Sequence, residues 1–315
     1  MVWVLLGGDV NIIPARIAYA MCSEGGYFYD EDSLRADLYY SDLDGTWDFD
    51  NDNHFGEVED SVDLFPDVFV GRAPASNYSE AVTFVNKVLT YEKNPPPDYL
   101  DDFLFFAEVL WSDPYTDAGV AKDMIDTLYV PENINITKLY ERLGNESPST
   151  VKNEINQGKN LLNHDGHGFY YIMGSGSGYL YNSDMDELTN GDKVGTLYSI
   201  GCWVGAFDYD AISEHYLNNP SGGGVAFIGN SRYGWGSPGN PGYGYSDRFD
   251  LTFYNLLYNS KIVNLGENLA LNKTIFIPYS QEENVYRWHQ YQLNLLGDPE
   301  MEAVSYTHLR AHETR

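Results

Sequence analysis

Two residues of this chain have the type and the placing for nucleophilic chemistry, His167 and Cys202. A thiolate is a strong nucleophile, and an imidazole beside it lowers the thiol's pKa or carries its proton. His167 lies between Gly166 and Gly168, and Cys202 follows Gly201. Glycines on both sides of the histidine let a substrate backbone approach and leave the Gly168 amide open as an oxyanion donor. Taken singly, each residue has an ordinary explanation: a small buried hydrophobe for the cysteine, a turn residue for the histidine. What sets the pair apart is that both stand just past an apolar run.

Those runs read as strands, at 160–163 before His164-Asp165-Gly166-His167-Gly168 and at 194–200 before Gly201-Cys202. Residues 103–110 and 224–229 are further apolar strands, and 119–128, 150–157, 247–258 and 283–295 have helical spacing. Strands alternating with helices predict an α/β fold with a mainly parallel sheet flanked by helices. In such sheets the loops at the carboxyl ends gather the active site, so neighbouring strands would bring the His and the Cys together.

Upstream, strands are expected at 2–6 and 68–70 and a helix at 79–91, stopped by the stiff Asn94-Pro95-Pro96-Pro97 linker. The expected organisation is a smaller N-terminal α/β subdomain over 1–96 and a larger subdomain over 97–303. A tail over 304–315, where periodicity fails, reads as non-native or unstructured. A chain that opens directly on a strand reads as a truncated piece.

With 315 residues, 43% of them hydrophobic and 27 of them tyrosine, the sequence can build a large core and is not a disordered chain. Lys and Arg number 18 against 47 Asp and Glu, a net charge of −29 that disfavours nucleic acid and anionic membranes as partners. The longest apolar run, residues 1–6, falls far short of the roughly 20 residues a membrane helix needs, so no membrane insertion is expected. Two cysteines make neither a disulfide framework nor a four-cysteine zinc site.

Charge concentrates between Asp30 and Asp67, where 14 carboxylates accompany a single Arg or Lys, Arg35, and several aromatics. Within this block Asp48, Asp50, Asp52 and Glu59 match positions 1, 3, 5 and 12 of a calcium loop. Asn53 stands where that loop wants glycine, though asparagine tolerates the left-handed conformation. A solvated acidic loop is the alternative.

The runs Asn163-His164-Asp165-Gly166-His167-Gly168 and Ser199-Ile200-Gly201-Cys202-Trp203-Val204-Gly205-Ala206-Phe207-Asp208 resemble the gingipain-like cysteine peptidases, peptidase family C25. So do Ser41-Asp42-Leu43-Asp44-Gly45, Pro66-Asp67-Val68-Phe69-Val70-Gly71-Arg72 and Leu296-Gly297-Asp298-Pro299. The resemblance follows the family's order over nearly all of residues 1–304. It implies a caspase-like fold and an endopeptidase acting on protein or peptide substrates, with Cys202 as nucleophile and His167 as its partner. It further implies an acidic residue that orients the histidine, best matched by Glu108, and structural calcium. Trp235 matches a tryptophan that closes the first substrate pocket. Asp117 is the candidate acid for a preference for basic residues, and His164, lacking a following glycine, supports the loop. Exported relatives imply an extracellular or cell-surface setting, with the export signal upstream of this chain. Two other readings compete: a metal-dependent hydrolase using His164, His167 and Asp165, and a calcium-stabilised binding module that has lost activity.

Overall fold

The computed structural model describes residues 2–24 and 27–303, so the tail expected over 304–315 lies outside the described residues. Strand β1 (Val2–Gly7) is followed by an antiparallel ribbon of β2 (Arg16–Glu24) and β3 (Tyr27–Ala36), and after the acidic block β4 (Val68–Ala73) returns parallel to β1. Helix α1 (Tyr78–Lys93) starts at Asn77, whose side chain accepts from the Ser79 and Glu80 amides. Next come β5 (Asp102–Ala107), the short pair β6 (Val109–Ser112) and β7 (Tyr115–Asp117), α2 (Gly119–Leu128), β8 (Asn135–Tyr140) and α3 (Pro148–Gln157). Strand β9 (Leu161–Asp165) leads into a three-stranded sheet of β10 (Gly168–Phe169), β11 (Ile172–Ser175) and β12 (Gly178–Tyr181). The chain continues through α4 (Asn182–Asp186), β13 (Gly195–Ser199), α5 (Ile212–Asn218) and β14 (Gly224–Asn230). It ends with α6 (Tyr245–Tyr258), α7 (Leu265–Phe276), α8 (Val285–Gln292) and β15 (Leu293–Leu296).

Eight strands form one sheet in the order β1-β4-β15-β14-β13-β9-β5-β8, and every neighbour runs parallel except β14 and β15. The mainly parallel α/β arrangement expected from the sequence is therefore present. The Asn94–Pro97 linker joins α1 to β5, and the strands on its two sides share this sheet through β4 and β15, where Leu296 pairs with Arg72.

The alternation of strand side chains sets two cores. Phe103 and Phe105 face one way with Tyr198, Ile228 and Phe253, whereas Leu104 and Phe106 face the other with Leu162, Leu197 and Phe227. Burying each such side chain stabilises by roughly 1.5–3 kcal/mol. A third cluster packs the β2–β3 ribbon and Trp47 of the acidic block against Trp235, Trp288 and Tyr291.

Cations organise the acidic block. The buried Arg72 guanidinium forks onto Asp37 with two bonds of 2.7 Å and donates to the carbonyls of Gly8 and Ile13. Arg287, equally buried, donates to the carbonyls of Gly56, Glu57 and Ser280.

Two elements depart from expectation. The helix expected over 283–295 stops at Gln292, and Leu293–Leu296 becomes a buried strand between β4 and β14. The sheet needs an apolar filler there, and that outweighs the helical spacing. The strand expected over 103–110 breaks at Glu108, whose amide donates to the carbonyl of Asp165.

Candidate active site

Strands β9 and β13 pair in parallel with His164 opposite Ser199. His167 and Cys202 each stand three residues beyond these partners, so both lie at the same edge of the sheet. The loops that carry them are fastened together. Ile200 donates its amide to the His164 carbonyl at 3.1 Å, Trp203 donates to Arg232, and the Asn230 side chain donates to the carbonyls of Ile200 and Gly201.

Gly168 makes the closest join. A Cβ there would lie 2.7 Å from Val204 Cγ1 and 2.8 Å from the Cys202 carbonyl oxygen, so only glycine lets the histidine loop reach the cysteine backbone. Gly174 donates its amide to the His167 carbonyl, and Gly168, opposite Met173, falls between bonded positions with its own amide directed away from β11.

The His167 ring is exposed, and its Nε2 lies 3.0 Å from the Leu110 carbonyl oxygen. A carbonyl only accepts, so Nε2 carries the proton and Nδ1 presents the lone pair. The ring also meets the edge of Trp111 at 6.3 Å, an aromatic that sequence reasoning missed because it follows a strand break. Cys202 is half-buried, with Sγ 3.7 Å from the Gly234 carbonyl; burial pushes the thiol pKa up.

Glu108 works differently from the expected carboxylate. Its carboxylate accepts the backbone amide of His167 at 2.7 Å, while the imidazole is oriented by Leu110. Gly166 and Gly174 make room for it, since a Cβ at either would come within 2.7 Å of Glu108 Oε2. Glu108 thus positions the loop. Burial raises its pKa to about 7, with Glu141 adding repulsion.

Buried Glu146, raised to about 9 by burial and then by Glu108 and Glu141, is another carboxylate of this region. A carboxyl whose folded pKa is raised gives stability that is complete below the unfolded value and is lost as pH rises through the folded value. The protein should therefore lose stability as pH rises through about 7 and then about 9. Glu146→Gln, neutral and isosteric, should remove up to about 4 kcal/mol of the loss between pH 6 and 9. Urea unfolding at the two pH values checks this; an unchanged difference would refute it.

The remaining expected residues fall elsewhere. His164 is wholly buried, with Nδ1 2.7 Å from Ser199 Oγ and Nε2 3.1 Å from the Gly174 carbonyl, and burial drops its pKa to about 3. Asp165 lies 3.6 Å from the Lys122 ammonium. With both His164 nitrogens engaged, the His164–His167–Asp165 metal reading lacks its ligands.

Asp117, the expected acid of a substrate pocket, has two partners of its own. One oxygen accepts the Gly119 amide and the other the Arg142 guanidinium, both at 2.9 Å, so its charge is already compensated. Trp235, expected to close the first substrate pocket, is buried in the third core, edge-on to Trp288 at 5.7 Å.

The expected calcium set is divided. Among the described residues, metal-capable atoms gather within 4.8 Å in Asp48-Asp50-Asp60, Asp52-His54-Glu57 and Asp42-Asp44-Asp63. Glu59 belongs to none of these groups, because the 3₁₀ turn Val58–Asp60 buries Asp60 and leaves Glu59 exposed. Asn51 and Asn53 adopt left-handed conformations, with φ of 65° and 71°. The amides of Asp52 and Asn53 bond to Asp50 and Asp48, winding the loop around these carboxylates. Asp48, Asp50 and Asp60 have no ion-pair partner among the described residues, and hard oxygen donors of this kind suit calcium.

A family model described as peptidase family C25 matches residues 1–304. A Lys-gingipain of Porphyromonas gingivalis is 27% identical over 230 residues, covering 69% of this chain and 12% of its own length. Gingipain R2 of the same organism is 23% identical over 256 residues, and the match spans 30% of its length. An uncharacterised Archaeoglobus fulgidus protein is 25% identical over 258 residues, 56% of its length. The chain thus spans well under two thirds of these relatives. The crystal structure of the Arg-specific cysteine proteinase gingipain R shares the fold, with a TM-score of 0.72 at 19% identity over 96% of this chain and 64% of that one.

Proposed function

The chain belongs to peptidase family C25, and from that premise we propose that it is a cysteine endopeptidase with Cys202 as nucleophile and His167 as its acid–base partner. The observation that supports this most is the Gly168 join, which brings the loop carrying His167 against the backbone of Cys202. In this reading the thiol gives its proton to Nδ1 of His167, whose Nε2–H stays on the Leu110 carbonyl, and the sulfur attacks the scissile carbonyl. The Gly168 amide serves the oxyanion, and Glu108 holds the histidine loop by its backbone. Imidazolium then protonates the leaving amine, and water attacks the acyl-enzyme with the imidazole as base.

A thiol-reactive peptidyl probe tests the reading. It should label Cys202 and leave Cys22, which is 3% exposed, untouched, as peptide mapping would show. Absence of labelling, or equal labelling of both cysteines, would sink it. The basic-residue preference implied by the family resemblance would need a carboxylate other than Asp117.

We also assign a structural calcium ion to Asp48, Asp50 and Asp60, with an extracellular or cell-surface setting in which millimolar calcium would keep such a loop filled. A ligand that binds only the folded state stabilises by roughly 2.7 kcal/mol at a hundredfold excess over its Kd. Chelation should therefore lower the melting temperature, and Asp60→Asn should abolish that response. A melting temperature indifferent to chelator would refute the assignment.

A further inference from the structure

Beside the cysteine and histidine the surface is aromatic. Phe169 follows His167 by two residues and Trp203 follows Cys202 directly, and their rings lie 5.4 Å apart. Trp203 also meets Tyr209 at 5.8 Å and Tyr233 at 5.9 Å. Tyr171 meets Phe169 at 5.7 Å, and Tyr170 stacks on Tyr209 at 4.8 Å. Phe169, Tyr171, Tyr209 and Tyr233 are 37–44% exposed, so these rings form one open patch and not a core. Exposed aromatics scattered singly need no explanation, but a contiguous patch at the mouth of a site does.

The support beneath the patch is built. Trp203 holds a φ of 61°, a left-handed conformation that bulky residues avoid unless their surroundings impose it. Behind its ring, at 4.4 Å, lies the guanidinium of Arg232, which is 1% exposed. Arg232 is in turn forked onto Asp208 at 3.0 and 2.8 Å, and Asp208 also accepts from Arg35 at 2.9 Å. One carboxylate is thus compensated by two guanidiniums behind the patch.

We propose that this aromatic shelf is the specificity surface of the site and takes a large apolar or aromatic side chain next to the scissile bond. The Gly168 join sets the Phe169 end of the histidine loop against the Cys202 backbone, so a peptide whose carbonyl reaches Cys202 has the Phe169–Trp203 pair as a neighbour. Asp117, the acid expected to select a basic residue, is already matched by Arg142, and Asp208 by Arg35 and Arg232. The inference rests on the peptidase reading above.

The test uses quenched fluorogenic peptides in which Phe replaces Ala at each of the two positions on either side of the bond cut. At one of these positions the Phe peptide should exceed the Ala peptide in kcat/KM by about tenfold or more, carried mainly by KM. Phe169→Ala should bring that ratio close to one, Phe169→Leu should keep most of it, and Tyr78→Ala, on an 85% exposed residue of α1, should leave it unchanged. A ratio below about two at all four positions, or a ratio that survives Phe169→Ala, would overturn the shelf. If no peptide is cut, the peptidase reading has failed, and the same peptides are titrated against Cys202→Ala by tryptophan fluorescence. Tighter binding of a Phe peptide would uphold the shelf on its own, and equal binding would remove it.

Discussion

Cys202→Ala should abolish peptide hydrolysis, with a loss of at least about 10⁴-fold, while the protein keeps its fold and its melting temperature within a few degrees. The loss is large because the sulfur makes the covalent bond, and removing the nucleophile of such a site leaves only binding and oxyanion stabilisation. The structural effect is small because Cys202 is only half-buried and its Sγ makes a weak 3.7 Å approach to the Gly234 carbonyl. Circular dichroism and a fluorogenic peptide assay check both halves. Cleavage at the wild-type rate would end the cysteine-peptidase reading.

The two histidines should separate cleanly, since they occupy opposite environments four residues after Asn163 and one residue after it. His167→Ala should lose about 10³-fold or more in kcat with little change in stability, because an exposed ring is removed. His164→Ala should instead cost roughly 2–4 kcal/mol of stability, because it deletes a buried ring that bonds Ser199 and the Gly174 carbonyl. Its residual activity, measured at a temperature where it is folded, should far exceed that of His167→Ala. The reverse pattern would make His164 the reacting group and force a different arrangement of the loop.

Much of the frame was legible because its signals are local. Apolar runs bounded by glycine marked β9, β13 and β14, and helical spacing marked α1, α2 and α6, with ends within a few residues of those observed. The placing of His167 and Cys202 past neighbouring strands followed from the same pattern. What sequence could not supply was orientation. Glu108 was found, but nothing in the chain says that it grips the amide of His167 and leaves the ring to a carbonyl of Leu110. Carbonyls have no residue type, so a backbone partner leaves no trace in a sequence. The ion pair of Asp117 is hidden from the sequence because its partner, Arg142, lies 25 residues further on and only the fold brings them together. Asp60 replaced Glu59 near Asp48 and Asp50 because one tight turn decides which of two adjacent carboxylates faces inward. Trp235 carried the right residue type beside the site, yet the third core claimed its ring.

The seat of β15 bears on the order in which this protein can be made. The last of the described strands to be synthesised is inserted in the middle of the sheet, between β4, made more than two hundred residues earlier, and β14. Until it arrives, both neighbours present open edges, the kind of surface that pairs with other chains. Asn294 on this strand also donates to the Arg35 carbonyl and accepts the Asp37 amide, so the ribbon and the acidic block lack their anchor for the same interval. Synthesis from the N-terminus therefore cannot yield the finished sheet in stages. The loop after β14 that Cys202 leans on gains its neighbour only once β15 has been made.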